Sequence, residues 1–369
     1  MKKVLNIVPY QYLPFFSGGQ KFIAQFNQAL GEQCVLHVAG TADNDASLAK
    51  NYSFHPLLKK SRSRYADISS FFRLKKLIKE QEIDTVIIEH PYLGWLGWLL
   101  KKNCNIKLIV HTHNVEYERF RTLGKSWWSV LKFYENWVLR KADAIFCISE
   151  EDRQWMIQQL QLKSEKCLLV PYGINQNSMP LDKQQCKELV CSKHGFNPQH
   201  SLLFFNGLLD YKPNLDALNV ILEQINPLLQ QSSLQYNILV AGKRLPAELN
   251  ELKEWKNQHI HYAGFVDDIE LYFKSADLFL NPVQSGGGVK TKMIESIAFG
   301  TTVISTKSGA IGVEENMCDG KLVTVADNDW VNFTKAIVDN SNTSTETPAA
   351  YYGFYYWENI IKKIIASLA

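Results

Sequence analysis

Twice along this chain, short β-branched apolar runs alternate with segments of helical periodicity, and a polar stretch separates the two series. In the first series KKVLNIVPY (2–10), CVLHVAG (34–40), DTVIIEH (84–90), NIKLIVHTHN (105–114), ADAIFCIS (142–149) and CLLVPYGIN (167–175) read as strands. GGQKFIAQFNQALGE (18–32), ISSFFRLKKLIKEQE (68–82) and an aromatic segment from about Lys125 to Arg140 read as helices. NQNSMPLDKQQ (175–185) breaks the pattern and reads as a linker. The second series has strands SLLFFNGLL, YNILVAGK, IHYAGF, DLFLNPV, TTVIST and GKLVTV, with helices NLDALNVILEQINPLL, IELYFKSA and KMIESIAFG. Strands returned by helices are parallel and covered on both faces. The prediction is therefore α/β: two tandem Rossmann-like, doubly wound domains facing across a cleft at the carboxyl ends of their sheets. The expected spans are 1–175 and 176–352, with a terminal amphipathic helix in 353–369 after the polar break SNTSTETP.

At 369 residues and 46% hydrophobic composition the chain has apolar material for two cores. No run approaches the roughly 20 apolar residues of a membrane span. MKKVLNIVPY has too short an apolar run for a signal peptide. Seven cysteines, none in C-x-x-C spacing, read as reduced thiols and imply a cytoplasmic location. The net charge of +3 conceals an asymmetry: residues 1–175 carry 24 Lys/Arg against 16 Asp/Glu, and the rest carry 16 against 21. A basic first half suits an anionic partner such as a phospholipid surface, a lipid-linked phosphate or a nucleotide; a merely solvated charged face is the other reading. No nucleic-acid partner is expected.

The stretch QSGGGVKTKMIESIAFGTTVIST (284–306) bears most directly on function. Its glycines follow the strand DLFLNPV, at the end where α/β sheets bind ligands. A helix starting near Val289 or Lys290 would offer free N–H groups and a positive dipole end, which suits a phosphate. Gly286, Gly287 and Gly288 permit close backbone approach, and Lys290 and Lys292 add charge. Met293, Ile294, Ile297 and Ala298 form the core face, leaving Glu295 on the other side, where a carboxylate could accept from the vicinal diol of a ribose. A glycine turn with a surface Lys–Glu pair is the plain alternative.

The order of motifs GFVDD, ADLFLNP, GGGVKTKMIESIAFGTTVIST and SGAIGV resembles the C-terminal domain of GT-B glycosyltransferases of family 4. FFNGLLDYKPNLDAL (204–218) is similar to the strand, loop and helix that supply a phosphate-binding cation, VAGK (240–243) to a strand end behind the donor, and VPYGIN (170–175) to the joining strand. FFSGG (15–19) resembles the loop that approaches acceptor and diphosphate, and VHTHNVEYER (110–119) the segment bearing the family's active-site histidine. The resemblance implies a retaining transferase using a UDP- or GDP-linked sugar. His113, Lys212 and Lys290 would serve the chemistry. Gly18, Gly19, Gly207, Gly242, Lys243, Val266, Asp267, Gly287, Gly288, Val289, Lys292 and Glu295 would hold the donor, and Asn114, Glu116 and Arg119 the acceptor. The acceptor implied is a glycan or polyprenyl-linked glycan of surface polysaccharide assembly. The resemblance and the polar break together imply that the terminal helix crosses back to the first domain.

Two departures stand out. The family's first acidic residue, eight positions before Glu295, falls on Gly287, and Leu208 follows Gly207 where a basic residue is usual. A cation-rich phosphate site implies no metal cofactor, because fixed cations and amides can stabilise a departing diphosphate. His111, on the same strand face as His113, is the alternative active-site histidine. The tripeptides Asp43–Asp45 and Asp327–Asp329 (both D-N-D) sit in polar, turn-like sequence and read as turns. HPYLGWLGWLL (90–100), KSWWSVLKFYENWVLRK (125–141) and KKSRSRY (59–65) are either a peripheral contact with an anionic membrane or core aromatics with solvated lysines. A nucleotide-sugar epimerase of the same fold and a catalytically silent partner subunit are the rival functions.

Overall fold

The computed structural model describes residues 2–341, 343 and 345–368. The chain divides into two compact units, Met1–Gly173 with Tyr355–Ala369, and Ile174–Phe354.

The first unit is built on seven parallel strands: β1 (Lys3–Ile7), β2 (Val35–Thr41), β3 (Ser53–Leu58), β4 (Thr85–Glu89), β5 (Lys107–Thr112), β6 (Ala144–Cys147) and β7 (Cys167–Leu169). Their order is β3-β2-β1-β4-β5-β6-β7. The chain therefore reverses direction across the sheet between β1 and β4, the switch point beyond which open α/β sheets bind ligands. Strands β1, β4 and β5 are buried on both faces because helices cover both. The helix Gly18–Gly31 follows β1. Ser17 caps it by accepting from Gln20 N, and Gln20 Oε1 accepts in return from Phe16 N at 2.8 Å, so the helix begins at the paired glycines. The helix Trp357–Leu368 packs on this unit through buried Trp357, Ile360, Ile361 and Ile364. The Trp357 indole stacks on Phe22 at 5.7 Å.

The second unit carries β8 (Ser201–Leu208), β9 (Tyr236–Lys243), β10 (Ile260–Gly264), β11 (Leu278–Asn281), β12 (Thr302–Thr306) and β13 (Leu322–Val325), in the order β10-β9-β8-β11-β12-β13. All pairs are parallel, and the switch point lies between β8 and β11. Two parallel sheets flanked by helices make this an α/β protein with two Rossmann-like units.

The aromatic segment expected from about Lys125 to Arg140 is one helix, and the structure adds a short one before it that the sequence reading did not include. A short helix, Glu116–Thr122, precedes a second, Trp128–Lys141, with Gly124 in left-handed geometry between them. Strand β3 has no strong sequence signal, since SFHPLL contains a proline and alternates poorly.

Candidate active site

In the second unit the residues named from sequence gather around the β8/β11 switch point. Gly207 and Gly242 are partners across β8 and β9, and a Cβ on Gly242 would fall 1.9 Å from the Gly207 carbonyl oxygen. Close approach of two strand ends, not a ligand, suffices to explain Gly242. The loop after β11 carries Gly286, Gly287 and Gly288. Gly286 has φ +86° and lies against Pro213 and Tyr211, where a Cβ would meet Pro213 Cγ at 2.9 Å. The glycine turn is thus packed on the start of the helix Lys212–Val220, and Lys212 stands beside it. Lys212 is largely exposed and pairs with Asp216 at 2.8 Å.

The next helix starts at Thr291, slightly later than the sequence suggests, with Lys290 as its cap residue. Met293, Ile294, Ile297 and Ala298 are fully buried, and Glu295 is half-buried off that face. Lys290 Nζ donates to the carbonyls of Gly286 and Gly288, each at 2.9 Å. Lys292 Nζ donates to Asn206 O at 3.0 Å and Asn214 Oδ1 at 3.3 Å, and lies 4.8 Å from the Phe205 ring centroid. Burial pushes Lys290 down to about 8; burial and the Lys290 charge push Lys292 to about 7. Its amine ties the end of β8 to the Thr291 helix. Val289 packs against Gly312. Lys243 lies 3.8 Å from the ring centroid of Phe265, which precedes Val266 and Asp267 in the loop after β10.

In the first unit the ends of β4 and β5 bring together a cluster that sequence reasoning largely missed. Glu89 lies directly opposite His111 in the β4/β5 register. The Glu89 carboxylate is fully buried. It accepts from Asn6 Nδ2 at 2.8 Å and is bonded to His111 Nδ1 at 3.1 Å and His113 Nε2 at 2.6 Å. Burial would raise its pKa, but the two histidines more than offset that and hold it below the usual carboxylate range. Burial lowers the pKa of His113. The carboxylate thus receives N–H groups from Asn6, His111 and His113.

Beside it stands a second pair. His90 Nδ1 lies 2.8 Å from Glu116 Oε1, and its Nε2 is 2.7 Å from the Tyr10 hydroxyl. Glu116 also accepts from Tyr92 at 2.6 Å and Arg119 at 3.3 Å. The His90 and His113 rings stack with centroids 4.2 Å apart. Glu116 was expected to touch an acceptor directly. It is wholly buried, and its oxygens are engaged by His90, Tyr92 and Arg119. Asn114 Oδ1 is buried and accepts no hydrogen bond, an acceptor left open beside His113. Gly18 and Gly19 open the helix one turn before Phe22, whose ring meets His113 edge-on at 5.0 Å; a Cβ on Gly19 would meet open space. The strand-end pair Glu89-His90, next to a strand carrying His111-Thr112-His113, was the available signal, because parallel register sets such ends side by side.

Glu89, His111 and His113 are also, among the described residues, a trio whose ligand atoms lie within 4.8 Å of one another. The two D-N-D tripeptides accept hydrogen bonds from the protein, some local and some from distant loops. Asp45 accepts from Ser47 N, Asn44 from the amides of Tyr12 and Leu13, Asp327 from Ser308, and Asp329 from Asn332 N.

With that geometry in place, comparison with known proteins is informative. Residues 16–178 match the profile described as Glycosyltransferase Family 4, and residues 200–341 the one described as Glycosyl transferases group 1. The chain is 24% identical over 360 residues to an Escherichia coli UDP-Gal:alpha-D-GlcNAc-diphosphoundecaprenol alpha-1,3-galactosyltransferase, covering 90% of this chain and 87% of that protein. It is 24% identical over 265 residues to the E. coli O-antigen biosynthesis glycosyltransferase WbnH, covering 71% and 70%. Among solved structures, Anabaena Alr3699/HepE in complex with UDP superposes with a TM-score of 0.73 at 14% identity, covering 100% of this chain and 99% of that one. Sucrose-phosphate synthase from Thermosynechococcus elongatus gives 0.73 at 14% identity, covering 99% and 98%. The order of elements, the paired Rossmann-like units and the two matching profiles agree: this chain belongs to the family 4, group 1 glycosyltransferases of GT-B fold.

Proposed function

We propose that the protein transfers a sugar, with retention of anomeric configuration, from a UDP- or GDP-linked donor to a glycan on a polyprenyl diphosphate carrier in surface polysaccharide assembly. The observation that carries this reading is the glycine turn 286–288 at the β8/β11 switch point, with Lys212 and Lys290 beside it and Glu295 one turn inside the following helix. The E. coli relative named for UDP-Gal and a diphosphoundecaprenol acceptor supports the substrate class.

In this reading Glu295 accepts from the ribose hydroxyls. Lys212, Lys290, the amides of Gly288 to Lys290 and the helix dipole receive the diphosphate as the bond to the sugar breaks, a contribution of several kcal/mol to the transition state. Gly18 and Gly19 let backbone amides approach a phosphate, and His113 and Asn114 meet sugar hydroxyls. No divalent metal takes part. The acceptor hydroxyl attacks from the leaving-group side, which gives retention.

The basic first unit also presents an apolar face suited to a lipid surface. Leu123, Trp127, Val130 and Phe133 are 50%, 47%, 71% and 80% exposed, with Lys125, Ser126, Ser129 and Lys132 among them. The other stretches considered from sequence differ. Trp95 donates its indole N–H to Tyr65 O and packs on the core. Lys59 pairs with Asp67, and Arg64 donates to the carbonyls of Lys60 and Ser61. We infer a peripheral contact with anionic membrane through the 123–133 face. Among the described residues no helix is long and apolar enough to cross a membrane.

The test is to incubate the protein with UDP-galactose, UDP-glucose, UDP-N-acetylglucosamine or GDP-mannose, with and without a synthetic GlcNAc-diphosphate lipid, in EDTA. Nucleotide release that requires the lipid, survives EDTA and yields a product of the donor's anomeric configuration is expected. Isomerised donor without nucleotide release would instead establish the epimerase, and donor binding without turnover the silent subunit. Rescue of EDTA-treated protein only by Mg²⁺ or Mn²⁺ would overturn metal independence.

A further inference from the structure

We propose that Glu89 is a positioning residue that locks His113 in its Nε2–H tautomer, so that Nδ1 is the nitrogen offered, as a hydrogen-bond acceptor, to a sugar hydroxyl. The proposal rests on the placement of His113 in the active site given above.

Polarity follows from counting donors. The Glu89 carboxylate can only accept, so each partner must present an N–H. His113 meets it through Nε2 at 2.6 Å and His111 through Nδ1 at 3.1 Å. His113 therefore carries its proton on Nε2 and His111 on Nδ1. His111 Nε2 is left as a buried nitrogen with no partner, consistent with its being a bare lone pair. Oppositely held tautomers on residues two apart in one strand follow from a single carboxylate between them.

The second pair enforces the same outcome from the other side. Glu116 can only accept, so His90 Nδ1 carries an N–H; in a neutral ring, Nε2 then accepts from the Tyr10 hydroxyl. His90 is neutral, as burial of its ring favours. It stacks on His113 without adding a charge that would compete for Glu89. The groups facing His113 are Glu89, His111, His90 and Phe22, with Glu116 and its partner Arg119 behind His90. The His113 ring is held on one edge by Glu89, on a face by His90, and by a T-shaped contact with Phe22. Its side chain is 5% exposed. A neutral ring fixed in this way accepts a hydroxyl proton in a hydrogen bond without itself needing to titrate near neutral pH.

The experiment is a long-range ¹⁵N–¹H correlation spectrum of the full chain with ¹⁵N-labelled histidine, with His113 assigned from the signal lost in His113→Gln. In the wild type, between pH 6 and 8.5, His113 should show a protonated Nε2 and a bare Nδ1. Glu89→Gln can turn its amide N–H toward the ring, so it should move His113 toward the Nδ1–H tautomer; Glu89→Asp should restore Nε2–H. Turnover of UDP-glucose or UDP-galactose should fall in kcat by about tenfold or more in Glu89→Gln, with KM changed by no more than about twofold, and recover in Glu89→Asp. A proton on Nδ1 in the wild type, or an unchanged tautomer in Glu89→Gln, would overturn the proposal whatever the activity. The wild-type spectrum decides even where Glu89→Gln fails to fold. A tautomer that switches while kcat stays constant, with His113→Gln equally active, would instead remove His113 from the active site. One equivalent of tightly bound zinc that is lost in His111→Gln would also overturn the proposal, because Glu89 would then be a ligand and not an acceptor.

Discussion

Lys290 and Lys292 lie two residues apart and have different tasks. Lys292 is spent on Asn206 and Asn214, whereas Lys290 folds back over the glycine turn onto two carbonyls that a phosphate could replace. Burial holds Lys290 down to about 8 in the free protein. An anionic diphosphate favours the charged amine and so raises that pKa, and binding must draw a proton from solvent. UDP affinity should therefore fall as pH rises through about 8. Calorimetry at pH 8 in buffers of different ionisation enthalpy should show proton uptake that disappears in Lys290→Gln. At the other end of the nucleotide, Glu295→Gln should weaken UDP binding by about 1–3 kcal/mol, the scale for losing hydrogen bonds to a charged group. Unchanged affinity in a folded Glu295→Gln protein would remove the ribose assignment. The placement of Glu295 and Lys290 was legible in sequence because it follows from a turn and one helix face. That of Glu89 and Glu116 was not, because their roles are set by partners 22–26 residues away in the chain.

The Glu116–Thr122 helix shows why some elements escape a sequence reading. It is preceded by Val115, which has no side chain able to cap it. The cap comes instead from Glu135, whose two carboxylate oxygens accept from the amides of Glu116 and Tyr117 at 3.0 Å each. Strand runs such as DTVIIEH and DLFLNPV carried their own signal, but this helix depends on a carboxylate in the next one. Burial pushes the Glu135 carboxyl up to about 8, against the two amides, which favour the anion. A folded pKa above the unfolded value means the folded protein holds the proton more tightly. The stabilisation is complete below the ordinary carboxylate range and is lost as pH rises through about 8. Urea unfolding should show wild-type stability falling between about pH 5 and 8 and a flatter profile in Glu135→Gln. Parallel profiles would mean that Glu135 does not titrate in that window.

At the scale of the whole molecule, the charge asymmetry read from sequence acquires a location only with the fold. Which of the many tryptophans are core and which are surface is decided by packing, so HPYLGWLGWLL turned inward while Trp127 and Phe133 remained outside. Trp and Phe flanked by lysines suit the headgroup region of a bilayer, with each nearby cation contributing about 1 kcal/mol on an anionic surface. Binding to vesicles should rise with phosphatidylglycerol content and weaken with salt. Trp127→Ser with Phe133→Ser should reduce it about tenfold or more and leave UDP binding unchanged. Vesicle binding indifferent to both substitutions would place the contact elsewhere.

The placement of the Trp357 helix has a consequence for how the protein comes into being. Trp357, Ile360, Ile361 and Ile364 complete the hydrophobic interior of the first unit, yet they are synthesised only after all of Ile174–Phe354. At about 5–20 residues per second, roughly 10–40 s pass between the last strand of the first unit and the helix that closes it. During that interval Phe22 and Phe26, the aromatic neighbours of His111, lack their Trp357 partner. The second unit has no such dependence, so the order of translation is the reverse of the order of completion. Nascent chains stalled so that residue 354 has just cleared the ribosome should contain a protease-resistant second unit and a first unit that is cut freely, whereas chains stalled with residues 355–368 also clear should resist cleavage in both.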